Sequence, residues 1–316
     1  MTDYFEVHDR DGPARLGELR LSDPLRTPAL VDEVLHDAGS EWREEQPTPE
    51  GDESQLTVLP HRAFPGGTAD EVTEAFQVDY DDVPFPSAAV VSPETATDYG
   101  ADAYVLPGAG VRGYAEGFAD ALLSTKAATP PDSALYVGGV ATPANVATLA
   151  YAGVDLFDAD YAYVRGTEGF YLAGDGEHFL EDLDELPCAC EACRRPRGEF
   201  TREHCAEHNV NALRAELARV RQRIRDGRLR DYVEGQARHE AWTTALFRRL
   251  DAQYGYVEER TPILRRAELL AASEDTLNRA EIQRFADRVT TRYRPRLTDR
   301  PLVIVPCSAR KPYSES

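Results

Sequence analysis

Tyr136-Val137-Gly138-Gly139-Val140-Ala141-Thr142-Pro143, followed after one helical length by Gly153-Val154-Asp155-Leu156-Phe157-Asp158, decides the fold. Ala134 to Val140 is a short apolar run of strand length. Thr142 offers a hydroxyl cap, and Pro143 takes the first helical position, where a missing N–H is harmless. Gly153 ends that helix, and Val154 to Phe157 reads as the next strand. Upstream, Ala103 to Leu106 is a strand stopped by Pro107-Gly108-Ala109-Gly110, and residues 113–126 read as a helix. Strand, helix and strand at this spacing imply parallel strands joined by right-handed crossovers. The pattern begins near Ser87. Before it, residues 39–55 are rich in acid, Pro and Gly and read as an exposed loop, while residues 1–38 look globular. No internal repeat interrupts the chain.

Downstream of Glu203 the period changes to that of a helix. Val210, Leu213, Leu217, Val220 and Ile224 form one apolar stripe. Arg214, Arg219, Arg221, Arg223 and Arg225 lie off it, either as a solvated face or as contacts for RNA phosphates. Further helices are expected around Ala241 to Leu250 and Arg279 to Arg292. Leu302 to Val305 reads as a buried strand ending in Pro306-Cys307.

The 316 residues carry a net charge of −21, and of 35 basic residues only Lys126 and Lys311 are lysines. An acidic surface almost without lysine fits a concentrated-salt cytoplasm, where the Debye length shrinks to about 3 Å at 1 M salt. In such a setting global acidity does not exclude a nucleic-acid partner, because phosphate contacts depend on local arginine clusters. No apolar run approaches the length of a membrane span, and the polar, acidic opening lacks the apolar core of a signal peptide. The expectation is a cytoplasmic protein with no membrane partner.

Four of the five cysteines fall between Cys188 and Cys205. Cys188-x-Cys190-x-x-Cys193 puts three soft ligands close enough to wrap one tetrahedral ion, which points to Zn2+ rather than disulfides. His204, Cys205 and His208 are all available as the fourth ligand. A four-ligand site leaves no open position, so the expected role is structural.

Together these stretches resemble the tRNA-guanine transglycosylases. In that family a strand ending in Gly-Val-Gly-Thr-Pro leads through a helix to a Gly-Val-Asp-x-Phe-Asp strand, then to a Cys-x-Cys-x-x-Cys cluster and a His-Asn helix. Arg15-Leu16-Gly17 and Thr27-Pro28-Ala29 are weakly similar to its N-terminal strands. The resemblance covers roughly the first two-thirds of the chain. It implies a (β/α)8 barrel with its site at the C-terminal strand ends. It also implies His208 as the last metal ligand and Asp158 at the position of the nucleophilic carboxylate. The departures are specific. Base exchange needs a second carboxylate for proton transfer, and the family's Asp-Ser-Gly-Gly-Phe-Gln segment is absent. Gly108-Ala109-Gly110 is a weak match for the guanine-recognising loop, and the first half of the barrel looks shortened. The expectation is a degenerate TIM-like α/β barrel in which Asp158 is a retained structural carboxylate or a catalytic one.

The C-terminal stretch Pro306-Cys307-Ser308-Ala309-Arg310-Lys311-Pro312-Tyr313-Ser314-Glu315-Ser316 resembles the archaeosine synthases, which carry Pro-Cys-x-x-x-Lys-Pro-Tyr-x-x-Ser-x-x-His. The His would stand three residues past Ser316, so the resemblance implies a second domain cut after its first strand and a chain inactive alone. It also implies the activity, addition of free lysine to the nitrile of a 7-cyano-7-deazaguanine base at position 15 of tRNA. A partner radical enzyme then cleaves the adduct. Cys307, Lys311, Tyr313 and Ser316 become the catalytic candidates beside Asp158. Cys307 is either a nucleophile favoured as thiolate by Arg310 and Lys311, or an inert residue of a binding loop. The organisation expected is a barrel with its zinc site over residues 1–230, a helical connector over 231–300 and the start of the second domain over 301–316. Two further readings stay open: a transglycosylase that itself inserts the deazaguanine base at position 15, and a tRNA-binding fragment without chemistry. A homo-oligomer is compatible with all three.

Overall fold

Short strands, most of them buried along their length in the parallel sheet, organise the computed structural model, which describes residues 2–44, 46–65, 67–107, 115–265 and 267–292. An antiparallel sheet opens the chain: β1 (Phe5–Asp11), β2 (Ala14–Leu19) and β3 (Leu25–Thr27). Gly17 is required in β2, since a Cβ there would sit 2.3 Å from the Glu6 carbonyl oxygen. Then come β4 (Ala29–Leu30), β5 (Leu35–Asp37), β6 (Leu56–Val58), α1 (Asp70–Phe76), β7 (Ser87–Val90) and β8 (Ala103–Pro107). α2 (Ala115–Ala128), β9 (Ala134–Gly138), α3 (Val146–Tyr151), β10 (Leu156–Phe157) and α4 (Asp160–Thr167) follow.

The order across the second sheet is β4-β10-β9-β8-β7-β6-β5, and every pairing is parallel. Its two edge strands, β4 and β5, are neighbours in sequence. Val31 N donates to Phe157 O at one edge, and Leu56 N donates to Val34 O at the other. The segment 29–37 therefore bonds to both edges and curls the sheet into a ring. Side-chain burial agrees with this shape. Leu56, Val58, Ala88, Val90, Ala103, Val105, Ala134, Tyr136 and Leu156 share one core, inside the ring. Their neighbours Ala89, Tyr104, Leu106, Leu135, Val137 and Phe157 join the other, under the helices. Phe5 and Leu19 of the antiparallel sheet complete the inner core. They enter at the N-terminal strand ends, where the Asp102 carboxylate accepts from Asp3 N, Tyr4 N and Ser87 N at 3.0–3.1 Å.

The barrel is degenerate in the way its sequence implies. The first crossovers run through loops, including residues 38–55, with only α1 between β6 and β7. The helix-rich half begins at α2. α3 starts three residues later than Pro143 suggests, and the Asn145 side chain bonds backward to the preceding loop: Thr142 N donates to Asn145 Oδ1 at 2.9 Å and Asn145 Nδ2 donates to Val140 O at 2.8 Å.

After α4 come a hairpin, β11 (Phe170–Ala173) and β12 (Gly176–Phe179), and the long helix α5 (Arg202–Arg225). Leu213, Leu217, Val220 and Ile224 of its apolar stripe are buried against the ring. Its arginines have partners inside the chain. Arg214 pairs with Glu33, Arg219 with Glu216, Arg221 donates to Pro28 O, Arg223 lies over the Tyr232 ring and Arg225 donates to Gln222. This favours the packed and solvated reading over phosphate contact. α6 (Leu229–Gln236), α7 (Ala241–Ala252), α8 (Tyr254–Arg260) and α9 (Ala280–Asp287) complete the described chain. They are keyed to the barrel by buried ions. Asp11 accepts from Leu229 N, and Arg230 bonds to Glu234, Asp251 and the Tyr151 hydroxyl. Among the described residues, no helix is long and apolar enough to cross a membrane. Leu302 to Val305, Cys307, Lys311, Tyr313 and Ser316 lie outside the described residues, as do Gly108-Ala109-Gly110.

Candidate metal centre and strand-end carboxylate

The first turn of α5 decides which imidazole can reach the cysteines. Thr201 caps the helix, and its N–H donates to His204 Nδ1 at 3.1 Å, so His204 is absorbed in a capping box. Cys205 is buried with its thiol directed at Phe170 O, 3.4 Å away. One turn further on, His208 meets the cluster. Its Nε2 lies 2.9 Å from Leu172 O, which assigns the proton to Nε2 and leaves the Nδ1 lone pair free. Nδ1 stands 3.5 Å from Cys190 Sγ and 3.3 Å from Cys193 Sγ. The ligand atoms of Cys188, Cys190, Cys193 and His208 all fall within 4.8 Å of one another. A tetrahedron with Zn–S arms of about 2.3 Å has edges on the order of 3.8 Å, so the donor set needs little adjustment to hold such an ion.

The surroundings fix this arrangement. The Tyr171 ring stacks on His208 at 3.8 Å, and its hydroxyl is 3.5 Å from Cys193 Sγ. Asn209 accepts from Leu172 N and donates to Ala162 O and Phe170 O, all at 2.8–2.9 Å. The His-Asn pair thus divides the work: His208 faces the cluster and Asn209 locks the β11 backbone to α4 and α5. Burial pushes the Cys193 thiol up to about 12 and the His208 imidazole down from its ordinary value. Neutral thiols packed together make a poor core; a divalent cation reverses this by stabilising the thiolates.

Gly166 of α4 sets the distance to α5. A Cβ there would lie 2.3 Å from Ala206 Cα and 2.4 Å from Ala206 N, both backbone atoms that cannot swing aside. Gly166→Ala should therefore push α5 outward beside His208. A loss of roughly 1–3 kcal/mol is expected from overpacking, read by urea denaturation, with weaker retention of metal under a competing chelator. Unchanged metal affinity would show that the α4–α5 contact does not position His208.

At the opposite ends of the strands from the antiparallel sheet, Asp158 follows β10. Its Oδ2 accepts from Gly139 N at 2.7 Å and from the Tyr136 hydroxyl at 2.9 Å, and its Oδ1 accepts from Asp160 N at 3.2 Å. The double glycine at the end of β9 serves this contact. A Cβ on Gly138 would fall 2.7 Å from Asp158 Oδ2, and Gly139 has φ of 71°. Asp158 is 5% exposed, and burial raises its carboxyl above the ordinary range. At the same end, exposed Asp32 accepts from Ala159 N at 2.9 Å. It is a second strand-end carboxylate that the sequence reading missed, because it follows a β4 of only two residues outside any motif. The other Asp of the motif, Asp155, was also passed over. It receives the buried Arg15 guanidinium and Leu135 N at the N-terminal strand ends.

Residues 89–241 match the family described as queuine tRNA-ribosyltransferase, and residues 282–316 match one described only as a domain of unknown function. The chain is 66% identical along its whole length to archaeosine synthase of Haloferax volcanii, of which it covers 54%. It is 37% identical, again along its whole length, to archaeosine synthase subunit alpha of Methanosarcina acetivorans, of which it covers 56%. Identity to tRNA-guanine(15) transglycosylase of Methanothermobacter thermautotrophicus is 30% across 62% of this chain and 30% of that protein. The chain thus spans about half the length of the first two relatives. A parallel ring with a strand-end aspartate and a Cys-Cys-Cys-His cluster fits a barrel of the transglycosylase type. The chain is therefore similar to tRNA-guanine transglycosylases over residues 89–241 and to archaeosine synthases along its whole length.

Proposed function

We propose that this protein acts in archaeosine synthesis, joining the side-chain amine of free lysine to the nitrile of 7-cyano-7-deazaguanine at position 15 of tRNA. The observation that carries the reading is the 66% identity to an archaeosine synthase along the entire chain. In this reaction the lysine amine forms a bond to the nitrile carbon, and the nitrile nitrogen takes a proton. Cys307 is proposed as the nucleophile that adds first, giving a thioimidate from which lysine displaces the thiol. Lys311, Tyr313 and Ser316 are proposed as the groups that hold the adduct and supply protons. A radical enzyme would then cleave the product. The division into barrel (1–230), connector (231–300) and catalytic domain (from 301) belongs to the same proposal, as do a cytoplasmic location and a salt-adapted surface. Zinc is proposed at Cys188, Cys190, Cys193 and His208 as a structural ion that ties the 180–200 loop to α5.

A second reading, insertion of the base itself, is favoured by Asp158 and Asp32 sharing the strand-end face. Against it stands the engagement of both Asp158 oxygens by donors of the chain itself. Mass spectrometry of cyano-base tRNA with and without lysine, and uptake of labelled guanine, separate the two. With the full-length protein, lysine-dependent mass gain should fall by roughly 10²–10⁴-fold in Cys307→Ala and persist in Asp158→Asn. Guanine uptake abolished by Asp158→Asn would establish the transglycosylase reading instead.

A further inference from the structure

Lys126 is one of two lysines in the chain, and it is only 7% exposed. It sits in the last turn of α2. No hydrogen bond or ion pair to its ammonium is present among the described residues, although a buried ammonium is normally paired. The cavity beside it has a volume of about 350 Å³ and is lined by Arg10, Arg15, Lys126 and Arg260, with Glu259 as its single carboxylate among the described residues.

The cations differ in what they have left to give. Arg15 is spent, its nitrogens bonded to Asp155, Pro131 O and Ser133 O. Arg10 is half-buried, and its guanidinium has no partner among the described residues. Arg260 lies over the Tyr256 ring at 4.2 Å and pairs with Glu259, whose side chain is 74% exposed. Asp155 is the nearby buried carboxylate, and Arg15 occupies it. Gly153 keeps the wall thin, since a Cβ there would lie 2.8 Å from the Tyr256 hydroxyl and 3.8 Å from Lys126 Cε. In a chain of net charge −21 this is a concentration of uncompensated positive charge. Burial and the neighbouring arginines disfavour the charged form of Lys126 while the pocket holds no anion.

We propose that this pocket, at the end of the barrel opposite Asp158, is a binding site for a phosphate group. Lys126, Arg10 and Arg260 converge on the space as its donors. Several acceptor oxygens that share negative charge suit such donors better than a halide does, because charge-assisted bonds to arginine are directional. The cavity also exceeds what a bare ion needs and falls in the range that accepts a small organic phosphate or one unit of an RNA backbone. The phosphate could come from a tRNA phosphodiester or from a free phosphorylated molecule, and the two are separable.

The experiment titrates inorganic phosphate into the chain at constant ionic strength against chloride, following the thermal midpoint and the heat of binding. Lys126→Met and Arg10→Met are carried in parallel. Lys126→Met keeps the stem packing and removes a desolvated charge, so it should fold with an unchanged or raised midpoint. The proposal expects saturable phosphate binding in the parent chain, weakened roughly 10-fold or more in each variant. tRNA binding measured at the same salt then identifies the source. A matching loss in both variants assigns the site to the RNA backbone, and unchanged tRNA affinity assigns it to a free phosphorylated molecule. Phosphate that shifts the parent and both variants equally overturns the proposal.

Discussion

Cys193→Ser is expected to release the metal and to unfold the region around it, while the barrel stays folded. Cys193 is the buried cysteine of the cluster on the loop side, 7% exposed, and it packs with Tyr171, Leu180, Ala192, Phe200 and Cys205 in a small satellite core. That core is too small to hold residues 180–200 by burial alone. Much of the loop is held by 3-10 turns and by a few bonds, such as those from Arg197 to Leu180 O and Leu183 O and from Leu180 N to Gly169 O. In small zinc domains the ion supplies on the order of 10 kcal/mol of folding free energy. A serine oxygen is a poor substitute for a thiolate. The expected results are loss of stoichiometric zinc by elemental analysis and rapid hydrogen exchange over residues 180–205. A strong chelator should produce the same exchange pattern in the parent chain. Exchange in β8 and β9 should not change, because their ladder and the inner core do not touch the site. Retention of one zinc per chain in Cys193→Ser, or protection of the loop after chelation, would show that the cluster is held by packing and not by an ion.

The cluster was largely legible in the sequence because its cysteines are local. Three cysteines within six residues fix a loop whatever surrounds it, and resemblance singled out His208. What the sequence could not give was the reason. His204 is lost to a capping box and Cys205 to Phe170 O, and both depend on where α5 begins. The second half of the ring was readable for the same reason, since its strands and helices alternate with clear stops at Pro107 and Gly153. The first half was not. β4, β5 and β6 are two or three residues long, too short for a period to register, and the ring is completed by backbone bonds from Val31 and to Val34 that no side-chain pattern announces. Asp32 belongs to this half, and Asp102, just before β8, bonds to the segment that opens the chain. Both owe their roles to contacts across the fold, with Ala159 N and with the backbone of Asp3 and Tyr4.

Asp155→Asn should cost far more stability than Asp158→Asn, although the two aspartates flank the same short strand. Asp155 and Arg15 are each about 1% exposed at the side chain. The carboxylate accepts from Arg15 Nε at 2.9 Å and from Leu135 N at 2.8 Å, so it holds β2 and β9 to β10. Removing its charge leaves a guanidinium buried beneath the barrel with no compensating anion, a situation worth roughly 3–5 kcal/mol. At roughly 2–4 °C per kcal/mol for a chain of this size class, the midpoint should drop on the order of 10 °C. Asp158 behaves oppositely. Burial raises its carboxyl in the fold, so its stabilising contribution is present at acid pH, below the ordinary carboxyl range, and is lost as pH rises through the raised value. At neutral pH the ionised form is already disfavoured, and the amide of Asn can still accept from Gly139 N or Tyr136. Its substitution should therefore leave the midpoint near that of the parent at pH 7. A double-mutant cycle completes the test. Arg15→Met with Asp155→Leu removes both charges, and the double variant should lose less than the two single variants combined, although the Leu135 N–H and the Pro131 and Ser133 carbonyls are left unpaired, at roughly 1–3 kcal/mol each. Strictly additive losses would mean that Arg15 and Asp155 act separately, each through its own backbone contacts, and that the pair is not what fixes the antiparallel sheet beneath the ring.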